Sequence, residues 1–291
     1  MFARKFTVVT PIFNGSPWLE LCIRSVHDQE GIEVEHLIQD GGSTDGTVEN
    51  YSQDARVHFV SEPDQGMYDA INRGFRRAQG DIILHLNGDE QLLPGTLKRV
   101  AHFFDQNPLV EMCFAYALVL DTRGELLCYR KTLLPGRIHT CLSHLCTLTC
   151  ATFYRRSALE EFGLYFDPSF RVLGDAELIC RALEKRIRMK ILPLYTSAFT
   201  ITGHNLSDDA RAVPERKRMA AEVSRFIRPL CPLVKVIHRL KRLLRGVYTE
   251  GPLDYEVYTL ETPSKRTHFH VNHPNYRWKN TIAAVQSSEK R

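Results

Sequence analysis

A chain of 291 residues, 43% hydrophobic and 25% charged, has the make-up of an ordinary globular protein and is long enough to bury a large core. Its formal net charge of +4 is too mild to argue for nucleic acid as a partner, and no window approaches the roughly 20 apolar residues of a membrane span. Eight scattered cysteines, with no hydrophobic leader ahead of the first strand, favour a reducing cytoplasm and free, mostly buried thiols.

In chain order, residues 6–13 (FTVVTPIF) read as a buried strand that stops at Asn14-Gly15-Ser16-Pro17. Ser16 is placed to cap the next helix with Pro17 at its first position, and Trp18, Leu19, Leu21, Cys22 and Val26 form its apolar face. A second strand, 33–39, ends in Asp40-Gly-Gly-Ser-Thr-Asp-Gly-Thr47, where Ser43 or Asp45 could cap a helix from Thr47. A third strand at 57–61 leads through Glu62-Pro-Asp-Gln-Gly66 into a helix over 67–79. A fourth, 81–86, ends abruptly in Asn87-Gly88-Asp89-Glu90, and Pro94-Gly95 then turns the chain. Three strand–helix alternations in about 90 residues predict a parallel sheet with right-handed crossovers and one polar rim.

The second half is less regular. A helix is predicted over 96–107, strands over 110–120 and 125–131 joined by a turn at 121–124, a short strand over 150–154 and a short helix over 156–162. A helix over 176–185 follows Gly174-Asp175, and two last strands fall at 190–194 and 198–201. The run His139-Thr-Cys141-Leu-Ser-His144-Leu-Cys146-Thr-Leu-Thr-Cys150 lacks the close cysteine pair of structural zinc sites and reads as a loop running into a strand. From Pro232 to Val247, Leu233, Val236, Ile237, Leu240, Leu243, Leu244 and Val247 share one helical face and basic residues the other. Such a helix could lie on an anionic membrane or pack on the preceding domain with its charges in water. Residues 251–291 are polar without a clear period and are expected to be a partly ordered tail.

The loops of the first half resemble the inverting GT-A fold glycosyltransferases of family 2. The matching segments are Val8-Val-Thr-Pro-Ile-Phe-Asn14, Gln39-Asp-Gly-Gly-Ser-Thr-Asp-Gly-Thr47, Glu62-Pro-Asp-Gln-Gly-Met-Tyr-Asp-Ala-Ile-Asn-Arg-Gly74 and Leu86-Asn-Gly-Asp-Glu90 with Pro94-Gly95. Four motifs in order across about 90 residues carry far more weight than any one alone. The wording Met67-Tyr-Asp-Ala-Ile-Asn72 is similar to the branch that assembles exopolysaccharide, colanic acid and lipopolysaccharide, and the likeness continues more loosely to about Ser207.

This resemblance implies an α/β, Rossmann-like mixed sheet, mainly parallel in its N-terminal half, over 1–210; the change in composition beyond it reads as a helical basic extension over 211–250 and then the tail. The resemblance also implies transfer of a sugar from a nucleotide-diphosphate donor to a saccharide or lipid-linked oligosaccharide, with Mg2+ or Mn2+ at the diphosphate. Asp40 resembles the residue that meets the base ring, with the backbone of Thr10 and Pro11 around it, although a turn cap would look the same. Asn14, Asp69, Asn72, Arg73, Asn87 and Gly88 fall on the other donor-binding motifs; Arg73 either meets phosphate or is solvated.

Asp89 is the first choice as metal ligand, with Glu90 beside it, because Asn87 stands at the first position of the usual DxD pattern. His204 is near where some relatives place a late metal or diphosphate ligand, and equally resembles a surface-loop histidine. Asp175 occupies the place of the base that deprotonates the acceptor, where a plain N-cap aspartate would also fit. Gly174, Ile71 and Thr149-Cys150 depart from the family pattern. The substitutions at Asn87, Glu90, Ile71 and Thr149 keep open a degenerate sugar-nucleotide-binding scaffold; a nucleotidyltransferase is disfavoured because the loop after strand one is not a glycine-rich basic phosphate loop.

Overall fold

A computed structural model describes residues 5–15, 17–203 and 211–278. The elements β1 (Lys5–Ile12), α1 (Trp18–His27), β2 (Glu33–Asp40), α2 (Thr47–Tyr51), β3 (His58–Ser61), α3 (Met67–Arg77) and β4 (Ile82–His85) follow the alternation read from the sequence. The strands lie in the order β3, β2, β1, β4 and all run parallel. The apolar runs of β1, β2 and β4 are buried because both faces of the sheet are covered there, while β3 is a partly exposed edge strand. On one face Val9, Leu37 and Ile83 meet Tyr68, Ile71 and Phe75 of α3; on the other Phe6, Val8, Ile82 and Leu84 meet Cys22 and Val26 of α1. Ser16 lies outside the described residues, and Pro17 stands just ahead of α1 rather than at its first position.

The chain continues through β5 (Glu90–Leu92), α4 (Thr96–Gln106), β6 (Met112–Leu120), β7 (Leu126–Arg130), α5 (Arg137–Leu142), β8 (Thr152–Arg155), α6 (Arg156–Phe162), α7 (Gly174–Glu184) and β9 (Met189–Thr200). The sheet extends from β4 to an antiparallel β8, then β6, a parallel β9 and an antiparallel β5, with β7 on the free half of β6. Helix α7 lies on the α3 face and α4 on the α1 face.

Three expectations are corrected here. The two strands at 190–194 and 198–201 are one, β9. Pro193 falls where the register with β6 slips between Phe114↔Ile191 and Tyr116↔Tyr195, so its missing N–H costs no ladder bond. Residues 149–151 form a single 3-10 turn before β8 rather than the start of the strand. Glu90 opens a three-residue strand instead of ending a polar turn, a length too short to leave a periodic signal.

The C-terminal region holds α8 (Ala212–Ala221), α9 (Cys231–Leu244) and a hairpin of β10 (Leu253–Val257) and β11 (Thr267–Val271). The hairpin corrects the expected tail as far as residue 278. Tyr255 and Val257 enter a core cluster with Leu118, Leu120 and Ala198. The Gln91 side-chain amide pairs with both the N–H and the C=O of Tyr258, each at 2.9 Å. Arg266 donates to both Asp28 oxygens, at 2.6 and 2.8 Å. Five residues per strand alternate too briefly to stand out in a polar segment. Among the described residues no helix is long and apolar enough to cross a membrane.

Gly80 is packed on the backbone of β1: a Cβ there would lie 2.5 Å from the Thr7 nitrogen and 2.6 Å from the Phe6 carbonyl carbon. Gly80→Ala is expected to lower stability by about 1–3 kcal/mol through forced backbone movement, read as an earlier midpoint in urea unfolding.

Candidate active site

Parallel pairing brings the loops after β1, β2, β3 and β4 to one edge of the sheet. The ladder runs on into them, with Gly41 N–H donating to Ile12 O, Glu62 N–H to Asp40 O, and Leu86 N–H to Val9 O. Asp40, at the end of β2 and fully buried, is the knot of this edge. Its Oδ2 accepts the N–H groups of Gly42 and Ser43, both at 3.0 Å, and the Ser61 hydroxyl at 2.6 Å; its Oδ1 accepts the Ser43 hydroxyl. One carboxylate thus ties the β2 loop to the end of β3. Asn14, at φ 52°, joins the β1 loop to the same turn: its N–H donates to Ser43 Oγ and its Oδ1 accepts from Thr44 N–H. Asp45 rather than Ser43 meets the start of α2, through Thr47 N–H and hydroxyl.

The side chain of Thr10 turns inward, to His36 Nε2 at 2.9 Å, so only its backbone and that of Pro11 belong to the edge. Asp69 accepts from Gln65 N–H and from Arg73, and Arg73 also pairs with Glu62 at 3.1 Å, which makes a charge network at the start of α3. Asn72 is turned elsewhere. Its amide donates to Phe166 O and accepts Phe166 N–H, both at 2.8 Å, and it is buried. It pins α3 to the segment that leads into α7.

At the end of β4, Asn87 N–H donates to Glu90 Oε2 at 2.7 Å. Glu90 lies wholly beneath this turn, and burial together with the neighbouring Asp89 pushes its carboxyl up to about 8. Gly88 is pressed against the Ile12 side chain, whose Cδ1 would lie 2.5 Å from a Cβ placed there. Asn87 Oδ1 and Glu90 Oε1 are buried oxygens without a hydrogen-bond partner. A hard cation held by oxygen donors would satisfy such atoms, so Asn87, Asp89 and Glu90 fit a divalent ion. His204 lies outside the described residues.

Asp175 is at the start of α7, half-buried, with Oδ1 accepting Ala176 N–H at 2.7 Å. Burial pushes its carboxyl up to about 6, opposed by the Ala176 and its own N–H groups and helped by the Glu215 carboxylate. Tyr68, at the start of α3, reaches across: its hydroxyl donates to Val172 O at 2.9 Å and lies 3.4 Å from Asp175 N. This brings Asp175 to the same edge as the β3 loop. Tyr154 also senses the Asp175 charge.

Gly174 is explained by the same contact, since a Cβ there would come within 2.6–2.9 Å of the Tyr68 ring. Ile71 is wholly buried in the α3 core. Glu215 of α8, which carries no signal in the sequence, clamps this approach: it accepts the N–H groups of Arg171, Val172 and Leu173 at 2.5, 3.1 and 2.8 Å.

A mixed sheet with this order, an acidic turn at the end of β4 and a half-buried aspartate opening the helix opposite define a GT-A-like, nucleotide-sugar-dependent glycosyltransferase. The chain belongs to glycosyl transferase family 2, whose model matches residues 7–163. The PGL/p-HBAD biosynthesis glycosyltransferase of Mycobacterium bovis (strain BCG / Pasteur 1173P2) is 30% identical over 186 residues, 60% of this chain and 68% of that protein. Residues 1–349 of S. aureus TarS in complex with UDP-GlcNAc superpose with a TM-score of 0.59 at 17% identity, covering 91% of this chain and 99% of that one. The chain spans 60% of a longer TarS structure. The mannosyltransferase PcManGT from Pyrobaculum calidifontis, in complex with GDP-Man and Mn2+, gives 0.57 at 17% identity, covering 82% and 70%. At these identities the structures speak for the fold.

Asn72→Ala would strand the buried N–H and C=O of Phe166, at about 1–3 kcal/mol for each group. The expected result is a markedly lower melting temperature. A donor KM raised at unchanged stability would instead place Asn72 at the substrate.

Proposed function

We propose that this glycosyltransferase moves a sugar, with inversion, from a nucleotide-diphosphate donor to a saccharide or lipid-linked oligosaccharide acceptor in the assembly of a cell-envelope polysaccharide. The observation that carries the reading is the half-buried Asp175 carboxylate, held at the start of α7 beside Tyr68 at the start of α3, the helix that follows the β3 loop. The M. bovis relative, named for PGL/p-HBAD biosynthesis, supports an envelope glycoconjugate as product. TarS with UDP-GlcNAc and PcManGT with GDP-Man support the donor class. The wording of the α3 motif favours the exopolysaccharide, colanic-acid or lipopolysaccharide branch.

In this reading the turn organised by Asp40 and Asn14, with the backbone of Thr10, Pro11 and Gly88, receives the nucleoside, and Asp69 and Arg73 border the diphosphate. Asp89 and Glu90, with the side-chain oxygen of Asn87, would hold Mg2+ or Mn2+. The ion, when bound, offsets the charge growing on the leaving diphosphate. Asp175 takes the proton of the acceptor hydroxyl as that oxygen attacks the anomeric carbon from the face opposite the leaving group. Residues 1–210 form the catalytic unit and 211–250 the basic extension, with the hairpin of 251–278 serving the catalytic sheet.

Helix α9 supports a site of action on the inner face of a membrane. Leu233, Val236, Leu240, Leu243 and Leu244 are exposed, Leu244 at 84%, and Lys235, Arg239, Lys241 and Arg245 are exposed among them. An apolar stripe open to solvent and edged by cations suits an anionic lipid surface.

Asp175→Asn is expected to cut transfer by roughly 10^2–10^4-fold while donor binding persists; normal turnover would remove Asp175 from the mechanism. A base must be deprotonated, so the wild-type rate should rise with pH through a midpoint near the Asp175 value of about 6, and this limb should vanish in the variant. For α9, sedimentation with phosphatidylglycerol vesicles should carry the full chain down at low salt. Leu240→Asp with Leu244→Asp should leave it in the supernatant; equal pelleting of both proteins, or none of either, ends the membrane reading.

A further inference from the structure

Three histidines that the catalytic reading leaves unused meet at the junction of α9 with the catalytic sheet. His139 is on α5, His144 follows in the loop, and His238 comes from α9, almost 100 residues further along the chain. One nitrogen of each lies within 4.8 Å of the others. His139 and His238 stack at 3.7 Å between ring centroids, and His144 stands edge-on to both. Packing apolar residues here would be the ordinary way to seat a helix. Instead α9 turns its apolar stripe to solvent and directs His238 inward, with Nε2 buried and without a hydrogen-bond partner. His144 uses Nδ1 on the Ser143 hydroxyl at 3.0 Å, which leaves Nε2 as its donor atom.

We propose that His139, His144 and His238 bind a zinc ion that staples α9 to the catalytic domain. Three imidazoles from three separate elements match the nitrogen donors zinc prefers; the face-to-face stack of His139 on His238 must open for both in-plane lone pairs to reach one ion. Cys146 lines the same small cavity as His144 and His238 but stands outside the three-histidine cluster, so its side chain must swing away from Leu133 O to take the fourth position.

The local charge makes the choice of ligand specific. Burial first holds all three imidazoles below their usual range, His144 down at about 3 and His238 at about 4, with the neighbouring histidines next for these two and Arg242 next for His139. Neutral imidazole is the ligating form. Arg130 and Arg242 border the cavity and would repel a bare cation; burial pushes the Cys146 thiol up against the smaller pull of these two guanidinium groups, so zinc binding must displace its proton. The Arg130 and Arg242 guanidinium groups rest on the rings of Trp278 and Tyr248, at 5.3 and 4.8 Å. Cys146 Sγ now donates to Leu133 O, a bond that zinc binding would exchange for the metal. The acidic turn at Asp89 offers only oxygen donors and suits a harder ion.

The test uses the full chain, stripped with chelator and titrated with Zn2+ and then Co2+. Retention of a single zinc per chain after gel filtration is expected, with a rise in melting temperature. The Co2+ form should show tetrahedral d–d bands and a thiolate charge-transfer band that Cys146→Ser removes. His139→Gln and His238→Gln should each weaken zinc binding by more than about tenfold, whereas Asp89→Asn should retain it. Wild-type chain that takes up no stoichiometric zinc overturns the proposal whatever the variants do. So does zinc held equally by the His139→Gln, His238→Gln double variant, or lost with Asp89→Asn.

Discussion

The buried carboxylate of Asp40 is the interaction on which the catalytic edge depends. A carboxylate removed from water is tolerated only when its oxygens are filled with donors, and here two backbone N–H groups and two hydroxyls fill them. Because the donors come from the β2 loop and from Ser61 at the end of β3, satisfying one charge fixes two loops together. Asn14 adds the β1 loop to the same knot. The donor side of the site is therefore built by polar satisfaction at the rim of an apolar sheet, and its geometry is set before any substrate arrives.

The acceptor side is assembled differently, by contacts between elements distant in the chain. Tyr68 from α3 touches the start of α7, Asn72 holds Phe166, and Glu215 from α8 grips three consecutive N–H groups ahead of Asp175. The glutamate thus reaches from beyond the family-matched region to the residue assigned as base. Its charge also helps to raise the Asp175 carboxyl, moving it towards the range in which a carboxylate can take a proton from an alcohol near neutrality. Helix α8 is in this way tied to the segment that leads into α7.

Helix α9 inverts the usual logic of an amphipathic helix. Leucines face water, while Val234, His238 and Arg242 form the less exposed stripe towards the domain. The packing alternative left open by the sequence, with the apolar face against the domain, is not the arrangement found. A helix seated through imidazoles and a guanidinium gains little from burial of apolar area. The two proposals made for it, a lipid surface outside and a metal staple inside, each supply the free energy that ordinary packing does not.

The parallel half of the sheet, its helices and the polar edge were determined by the sequence alone, because each strand there is a short apolar run ended by turn residues and each helix has a three-to-four-residue period. Asp40, Asp89 and Asp175 could be singled out for the same reason: they sit where strands or helices begin or end, and local chain geometry governs such positions. Asn72 shows the limit. Its place in the motif drew attention, but only the fold showed that Phe166 consumes both ends of its amide. Gly174 read as a departure until Tyr68 was found against it, and Glu215 carried no signal because its partners are more than 40 residues away. The brief strands β5, β10 and β11, and the meeting of His238 with His139 and His144, likewise needed tertiary structure. Such contacts join segments far apart in the chain, and the distance between them is settled by packing, which no local pattern of residues records.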